Sequence, residues 1–215
     1  LDDKGRVKNP EQAVHIIRDV EPRDLPIYVR GDVTRPGPVA PRRFPMVLQP
    51  SGDVPLWTKG SGRLELAEAL VDHRNPLTAR VIVNRIWGLY FGRPLVATPS
   101  NFGQLGEEPS HPELLDSLAI GFMEHGWSLK WLQREILLSA AYRQSSDVRP
   151  DAAERDPANL WLSRMNRRRL SVEQWRDAVL LVAGRLEPAL GGASCEPDDP
   201  DATRRTIYSR ISRLE

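Results

Sequence analysis

His111, Glu113 and Asp116 gather three ligand-type or acid–base side chains around one expected helix start. Asp72-His73 joins a carboxylate to an imidazole where two helices are expected to meet. Asp72, Glu107, Glu108 and Glu113 are the residue type that acid–base hydrolysis of a polysaccharide-type substrate uses, one group donating a proton while another accepts one. A metal site would need the cluster at 111–116 to converge with a ligand from a second element. The same residues have a simpler reading, because Ser110 and Glu113 stand at the spacing of a reciprocal helix cap. Asp72-His73 equally suits a structural hydrogen bond at the corner. His15 and His125 carry no motif. Asp72, His73, His111 and Glu113 are the candidates for catalysis, and no metal site is expected.

A second set of side chains suits binding. Arg80 and Asn84 lie one helical turn apart and share a face. Asn101 sits in a long loop rich in Gly and Pro. Arg164, Arg167, Arg168 and Arg169 form the densest basic cluster, with Trp161 nearby. Guanidinium groups beside aromatic rings can hold phosphates or stacked bases. However, 30 basic residues balance 29 acidic ones, so no global field draws the chain to nucleic acid or to a membrane. Arginine also pairs with carboxylates through two hydrogen bonds, and that structural role is expected here, for Arg85 and Arg143 too. If Arg80 sits in a buried pair, removing it should cost on the order of 3–5 kcal/mol. Arg80, Asn84, Asn101, Arg164 and Arg168 are the candidates for binding.

Other chemistry is not encoded. No GxSxG, HExxH or phosphate-loop pattern occurs. Cys195 is the single cysteine, which excludes an internal disulfide, a CxxC zinc site and a CxxCH haem attachment within this chain. It reads as an incidental surface thiol. No run approaches the ~20 apolar residues that span a bilayer. The basic set is dominated by Arg, the lysines being Lys4, Lys8, Lys59 and Lys130, and the 19 prolines concentrate in the N-terminal quarter. The chain begins at Leu1, so it is expected to be a fragment or a processed form.

The elements that must position these groups centre on Asn75 to Ser146. After an expected Asn75-Pro76 start, Leu77, Val81, Ile82, Ile86, Leu89 and Tyr90 follow helical spacing, with Val83 and Trp87 widening the stripe and Gly92 ending it. A second helix opens at Ser110–Glu113 and carries Leu114, Leu115, Leu118, Ala119 and Phe122 to a stop at Gly126. A third opens at Ser128 and carries Leu129, Leu132, Ile136 and Leu137, with Trp131 adjoining. The loop from Gly92 to Pro109 is long enough to be packed on itself or functional, and Leu95, Val96 and Phe102 within it want burial.

Before this body, a short helix is expected over Glu11–Asp19, with a strand at Val14–Ile17 as the alternative, then an extended segment at Leu25–Gly31. A proline-rich arm follows, docked through Ile27, Val29, Phe44, Val47 and Leu48; a disordered linker is the other reading. A helix from Ser61 or Gly62 to Val71 presents Leu64, Leu66, Ala67, Leu70 and Val71. After the body, residues 147–158 suit a surface loop. Ser171-x-x-Gln174 is a capping box opening a helix with Val172, Trp175, Val179 and Val182 apolar. Residues 193–203 look mobile, and Thr206–Ile211 suits a lone strand or a shortened helix. The expected architecture is mainly α: an irregular helical bundle with an extended Pro-rich N-terminal arm and little β structure. Its parts are an arm over 1–60, a helical domain over 61–192, and a mobile segment of a truncated domain over 193–215.

The ordered runs NPLTARVIVNRIW, LVATPSNFGQLGEEPSHPELLD, GWSLKWLQREILLSAAYRQSS and DPANLWLSRMNRRRLSVEQWRDAVL, closed by Gly191-Gly192, resemble the Planctomycete-specific domain of unknown function number fifteen-fifty-three. The resemblance covers roughly Tyr28 to Arg210. It implies a C-terminal piece of a secreted or periplasmic multidomain protein with a cytochrome-c-like domain elsewhere. Haem would then belong to that separate domain, and no cofactor to this chain. The implied partners are the other domains of the parent, and the implied role is a non-catalytic interaction or scaffold module. No catalytic residues come with the resemblance. Arg93-Pro94-Leu95, Asn101 and Ser117 depart from the usual pattern, the first two in the candidate loop.

Overall fold

Small and apolar side chains recur every four residues along Ala79, Val83, Trp87 and Phe91, and this stripe is the face around which the first half of the chain folds. The computed structural model describes residues 16–48, 54–196 and 198–211. Its described part is mostly helical, with seven α-helices and one two-stranded sheet, as the sequence implies. The chain divides into two compact units, Leu1–Tyr142 and Arg143–Glu215.

In the first unit, β1 (Leu25–Tyr28) pairs antiparallel with β2 (Pro36–Ala40), in the register Leu25 to Ala40, with an irregularity between Pro26 and Tyr28. Proline has no amide to give to a ladder, so the pairing is short. The turn joining the strands uses Arg30 and Gly31 at φ 54° and 79°. The expected docking of this arm is corrected in its details. Ile27, Val29 and Val47 are exposed, whereas Phe44 is buried at 3 % exposure. Polar ties run within the arm and from it to the next helix: Arg42 Nε donates to Asp24 at 2.7 Å, its Nη1 donates to the Gly60 carbonyl, and Arg63 pairs with Asp19. The helix or strand expected over 11–19 falls mostly outside the described residues, and 16–20 have no regular structure.

Helix α1 (Arg63–Leu70) leads through a corner into α2 (Thr78–Phe91). The apolar side of α1 is not covered as expected: Leu64, Leu66, Leu70 and Val71 are all exposed. Asn75 works differently from a simple cap. Its Nδ2 donates to the Leu70 carbonyl at 3.0 Å and to Thr78 Oγ1 at 2.9 Å, and its Oδ1 accepts from the Leu77 amide at 3.1 Å. One buried amide thus closes the end of α1 and the start of α2 together.

Helices α3 (Pro112–Glu124) and α4 (Leu129–Leu138) complete the body, and α2 packs on both. Leu115, Ala119 and Phe122 of α3, with Leu132 and Ile136 of α4, are buried. On α2 the expected stripe is rotated. Leu89 is 65 % exposed, and the buried set is Ala79, Val83, Asn84, Trp87 and Phe91. Alanine and asparagine hid that face from an apolar count. Gly92 ends α2 at φ 80°, and Trp127 stacks edge-on against Phe122 just past α3. Ser128 caps α4 by accepting from the Trp131 amide. The expected cap at the start of α3 is absent: His111 holds the N-cap position without a side-chain cap bond, and Ser110 is instead bonded by His111 Nδ1 at 3.0 Å. A four-residue helix, α5 (Ala140–Arg143), follows α4.

The second unit holds α6 (Pro150–Arg155) where a loop was expected, and α7 (Val172–Val182). Pro150 at the first turn explains the former, since its missing amide costs nothing there. The Ser171–Gln174 capping box is present on α7 as expected. Residues 202–206 hydrogen-bond to α7. Asp177 accepts from the amide and hydroxyl of Thr206 at 2.8 and 2.6 Å, and Arg176 donates to the carbonyls of Ala202 and Arg204. These polar groups turn the opposite, apolar side of α7 outward, and Val172, Trp175, Val179 and Val182 are exposed. Residues 206–208 form one 3-10 turn.

Candidate functional site

The loop between α2 and α3 is built from its own backbone outward. Asn101 Oδ1 accepts from the Gly103 amide, Thr98 Oγ1 donates to the Asn101 carbonyl and accepts from the Glu107 amide, and the Ser110 amide closes the loop onto the Leu95 carbonyl at 2.9 Å. Gly106 runs so near the Asn101 carbonyl that a Cβ there would lie 2.2 Å from its oxygen. Leu95 and Val96 are buried and Phe102 is half-buried.

Asn84 pins this loop to the body. Its Nδ2 donates to the Val96 carbonyl at 3.0 Å, and its Oδ1 accepts from the Val96 amide at 2.8 Å. Asn84 is fully buried and Val96 nearly so, so each of the two backbone groups depends on that side chain for its partner. Asn84 and Asn101 are thereby the framework of the loop. An uncharged polar Asn between the apolar positions Val83 and Trp87 is the sequence signal for such a clamp.

Arg80 Nε donates to Asp116 at 2.6 Å and Nη1 donates to the Pro76 carbonyl at 2.7 Å. The pair joins α2 to α3, and the Arg80 hydrogen bond holds the Asp116 carboxyl below the usual carboxylate range. It is not buried as expected: the two side chains are 34 % and 47 % exposed. Arg85 and Arg143 are exposed and make no ion pair among the described residues. Asp72 accepts from Arg74 through Nε at 2.9 Å and Nη2 at 2.7 Å, and that hydrogen bonding holds its carboxyl well below the usual range. His73 is exposed.

Among the described residues, open clefts include two in this unit. One, about 410 Å³, is lined by Trp57, Glu65, Glu68, Asp72 and Arg74 among others. The other, about 640 Å³, lies along α3 and α4 and is lined by Glu113, Asp116, Ile120, Glu124, Trp131 and Glu135 among others. Asp72 and Glu113 therefore face different clefts, and Glu107 and Glu108 are exposed on the loop. His111, Glu113 and Asp116 do not converge: among the described residues no group of three His, Cys, Asp or Glu is placed to hold a metal ion.

In the second unit, Arg164 is half-buried, and one of its terminal nitrogens, Nη1, is buried without a hydrogen-bond partner among the described residues. Arg167, Arg168 and Arg169 are exposed. Two residues not singled out from sequence organise the loop that carries Arg164. Asp156 accepts from the Trp161 amide at 2.7 Å, and Asn159 donates to the Arg164 carbonyl at 2.8 Å and to Asn166 at 2.9 Å. Both are buried. The Asp156-Pro157 dipeptide, a turn initiator, was the available signal. Among the described residues no helix is long and apolar enough to cross a membrane.

No curated protein and no solved structure matches this chain. The ordered motifs from the α1 start through α7 to the C-terminal stretch agree with one family model, which matches residues 62–214. The chain belongs to the family described as PSD1, protein of unknown function (DUF1553).

Proposed function

We propose that this chain is a non-catalytic interaction module of a secreted, extracytoplasmic multidomain protein of planctomycete type. Its partner is another domain of that protein, of the cytochrome-c-like kind, which would carry any haem. The observation that supports this reading is the outer side of α7. Trp175 and Val179 are 61 % and 48 % exposed, and with Ala178, Val182 and Ala183 they line an apolar depression of about 440 Å³. Contiguous apolar surface of that kind, with an aromatic among its residues, is what a docking face requires. The test is titration of the chain with the separately purified haem domain of the same protein. Trp175→Asp should leave the helical circular dichroism intact and weaken the complex about tenfold or more. Undiminished binding by that variant, or no complex with the native chain, would overturn the reading.

A second reading, hydrolysis of a polysaccharide-type substrate, draws on the cleft where Trp57 stands beside Glu65, Glu68 and Asp72. An aromatic ring with carboxylates suits a sugar. The weight against it lies in Asp72, which Arg74 keeps ionised, the opposite of what a proton donor needs.

A further inference from the structure

The cleft along α3 and α4 has an ordered pattern of charge. On α3, Glu113, Asp116, Ile120 and Glu124 recur at spacings of three and four and share one face. Glu113 and Glu124 end that face about 16 Å apart, from the helical rise of roughly 1.5 Å per residue. Between them lie Ile120, which is 52 % exposed, and the ring of Trp131 from α4. Glu135, one turn beyond Trp131, adds a carboxylate from the other wall.

The floor is fixed in place. The Trp131 ring stacks on His125 with centroids 4.2 Å apart, and its far edge lies so near Gly121 that a Cβ there would be 2.5 Å from the ring. Three of its four carboxylates have no ion-pair partner among the described residues: Asp116 has Arg80, but Glu113, Glu124 and Glu135 form no ion pair there. The nearby cations of α4, Lys130 and Arg134, do not line the cleft.

We infer that this groove docks a basic amphipathic helix of a partner protein. Its apolar side chain would seat on Ile120 and Trp131, and Lys or Arg side chains on either side of it would meet Glu113, Glu124 and Glu135. This adds a second binding face beyond the outer side of α7 and rests on the reading of the chain as a partner-binding module. The sign of the groove selects the occupant: an anionic lipid surface or a nucleic acid would be repelled, and a basic helix is attracted. A preset aromatic floor lowers the ordering cost of docking.

The test uses the full chain and a labelled helical peptide of about four turns, with leucines on one side and lysines on the other. Its counterpart carries glutamate for lysine. Fluorescence anisotropy should show binding of the lysine peptide alone, weakening as salt rises. The triple variant Glu113→Gln, Glu124→Gln, Glu135→Gln changes only exposed side chains and should keep the native circular dichroism. It should bind the lysine peptide about tenfold or more weakly. Equal binding of both peptides, no binding, or an undiminished triple variant would overturn the inference. So would a native chain that dimerises and a triple variant that does not, because the occupant would then be a second copy. A haem-domain complex that survives in the triple variant, beside unaltered peptide binding, overturns the groove alone. Peptide binding lost in the triple variant, with no haem-domain complex, overturns the parental partner alone.

Discussion

Arg80 and Asp116 show how exposure decides the worth of an ion pair. The bond is short and charge-assisted, at 2.6 Å, yet both side chains keep a third or more of their surface in water. Solvent screens such a pair, so Arg80→Ala should cost about 1 kcal/mol or less rather than the 3–5 kcal/mol of a buried one. The pH dependence has a definite sign. The Arg80 hydrogen bond lowers the folded-state Asp116 carboxyl below its unfolded value. Its stabilisation is therefore complete above about pH 4 and is lost as pH falls through the lower, folded value. Urea unfolding at pH 7 and near pH 3 should show the cost of the substitution shrinking in acid. A loss of 3 kcal/mol or more at pH 7, or one that grows in acid, would refute this account. Arg80 was legible in the sequence as a pairing residue, because a charge on a mostly apolar helix needs a partner. Its partner and its exposure were not, since both depend on how α3 lies against α2.

At the level of elements, the three central helices could be read from periodicity because their caps and stops are local chemistry: Gly92, Gly126 and Ser128 each act within one turn, as the Ser171–Gln174 box does for α7. Which face of a helix turns inward is not local. Leu89 fits the apolar stripe and is exposed, while Ala79 lies outside that stripe and Asn84 reads as a binding residue, yet both are buried. On α7 the apolar side faces out, because Arg176 and Asp177 spend the other side on the C-terminal backbone. The loop before α3 depends on a non-local clamp of the same sort, which gives it a sharp test. Asn84→Ala would remove both partners of the Val96 amide and carbonyl. Each buried group left unpaired costs about 1–3 kcal/mol, so the variant should lose roughly 3 kcal/mol in all. Hydrogen exchange should rise first at Val96, Ser110 and the loop between them, ahead of α2. A loss below 1 kcal/mol, or exchange that rises evenly through α2, would show that the loop is held by something other than Asn84.

For the whole molecule, the near balance of 30 basic and 29 acidic residues was plain from composition, and so was the mainly helical class. Where the charges and apolar groups sit had to come from the fold. Carboxylates gather along α3 and α4, arginines at 167–169, and apolar side chains stand out on α7 and at Leu105, which is 92 % exposed. Net charge is what keeps exposed apolar surface apart in solution. This chain has a formal net charge of +1 at pH 7 and an isoelectric point near 8.1. Its self-association should therefore peak at about pH 8 and fall towards pH 5, where protonated histidines and carboxylates give it a growing positive charge. Light scattering across that range at fixed concentration reads the effect directly. Val182→Lys adds a charge to the exposed side of α7 and should lower scattering at pH 8 while leaving helix content unchanged. Scattering that is flat with pH, or that rises steadily into acid, would mean that net repulsion does not govern contact between copies. Apolar contact by α7 would be ruled out as the main cause if Val182→Lys scattered as strongly as the native chain.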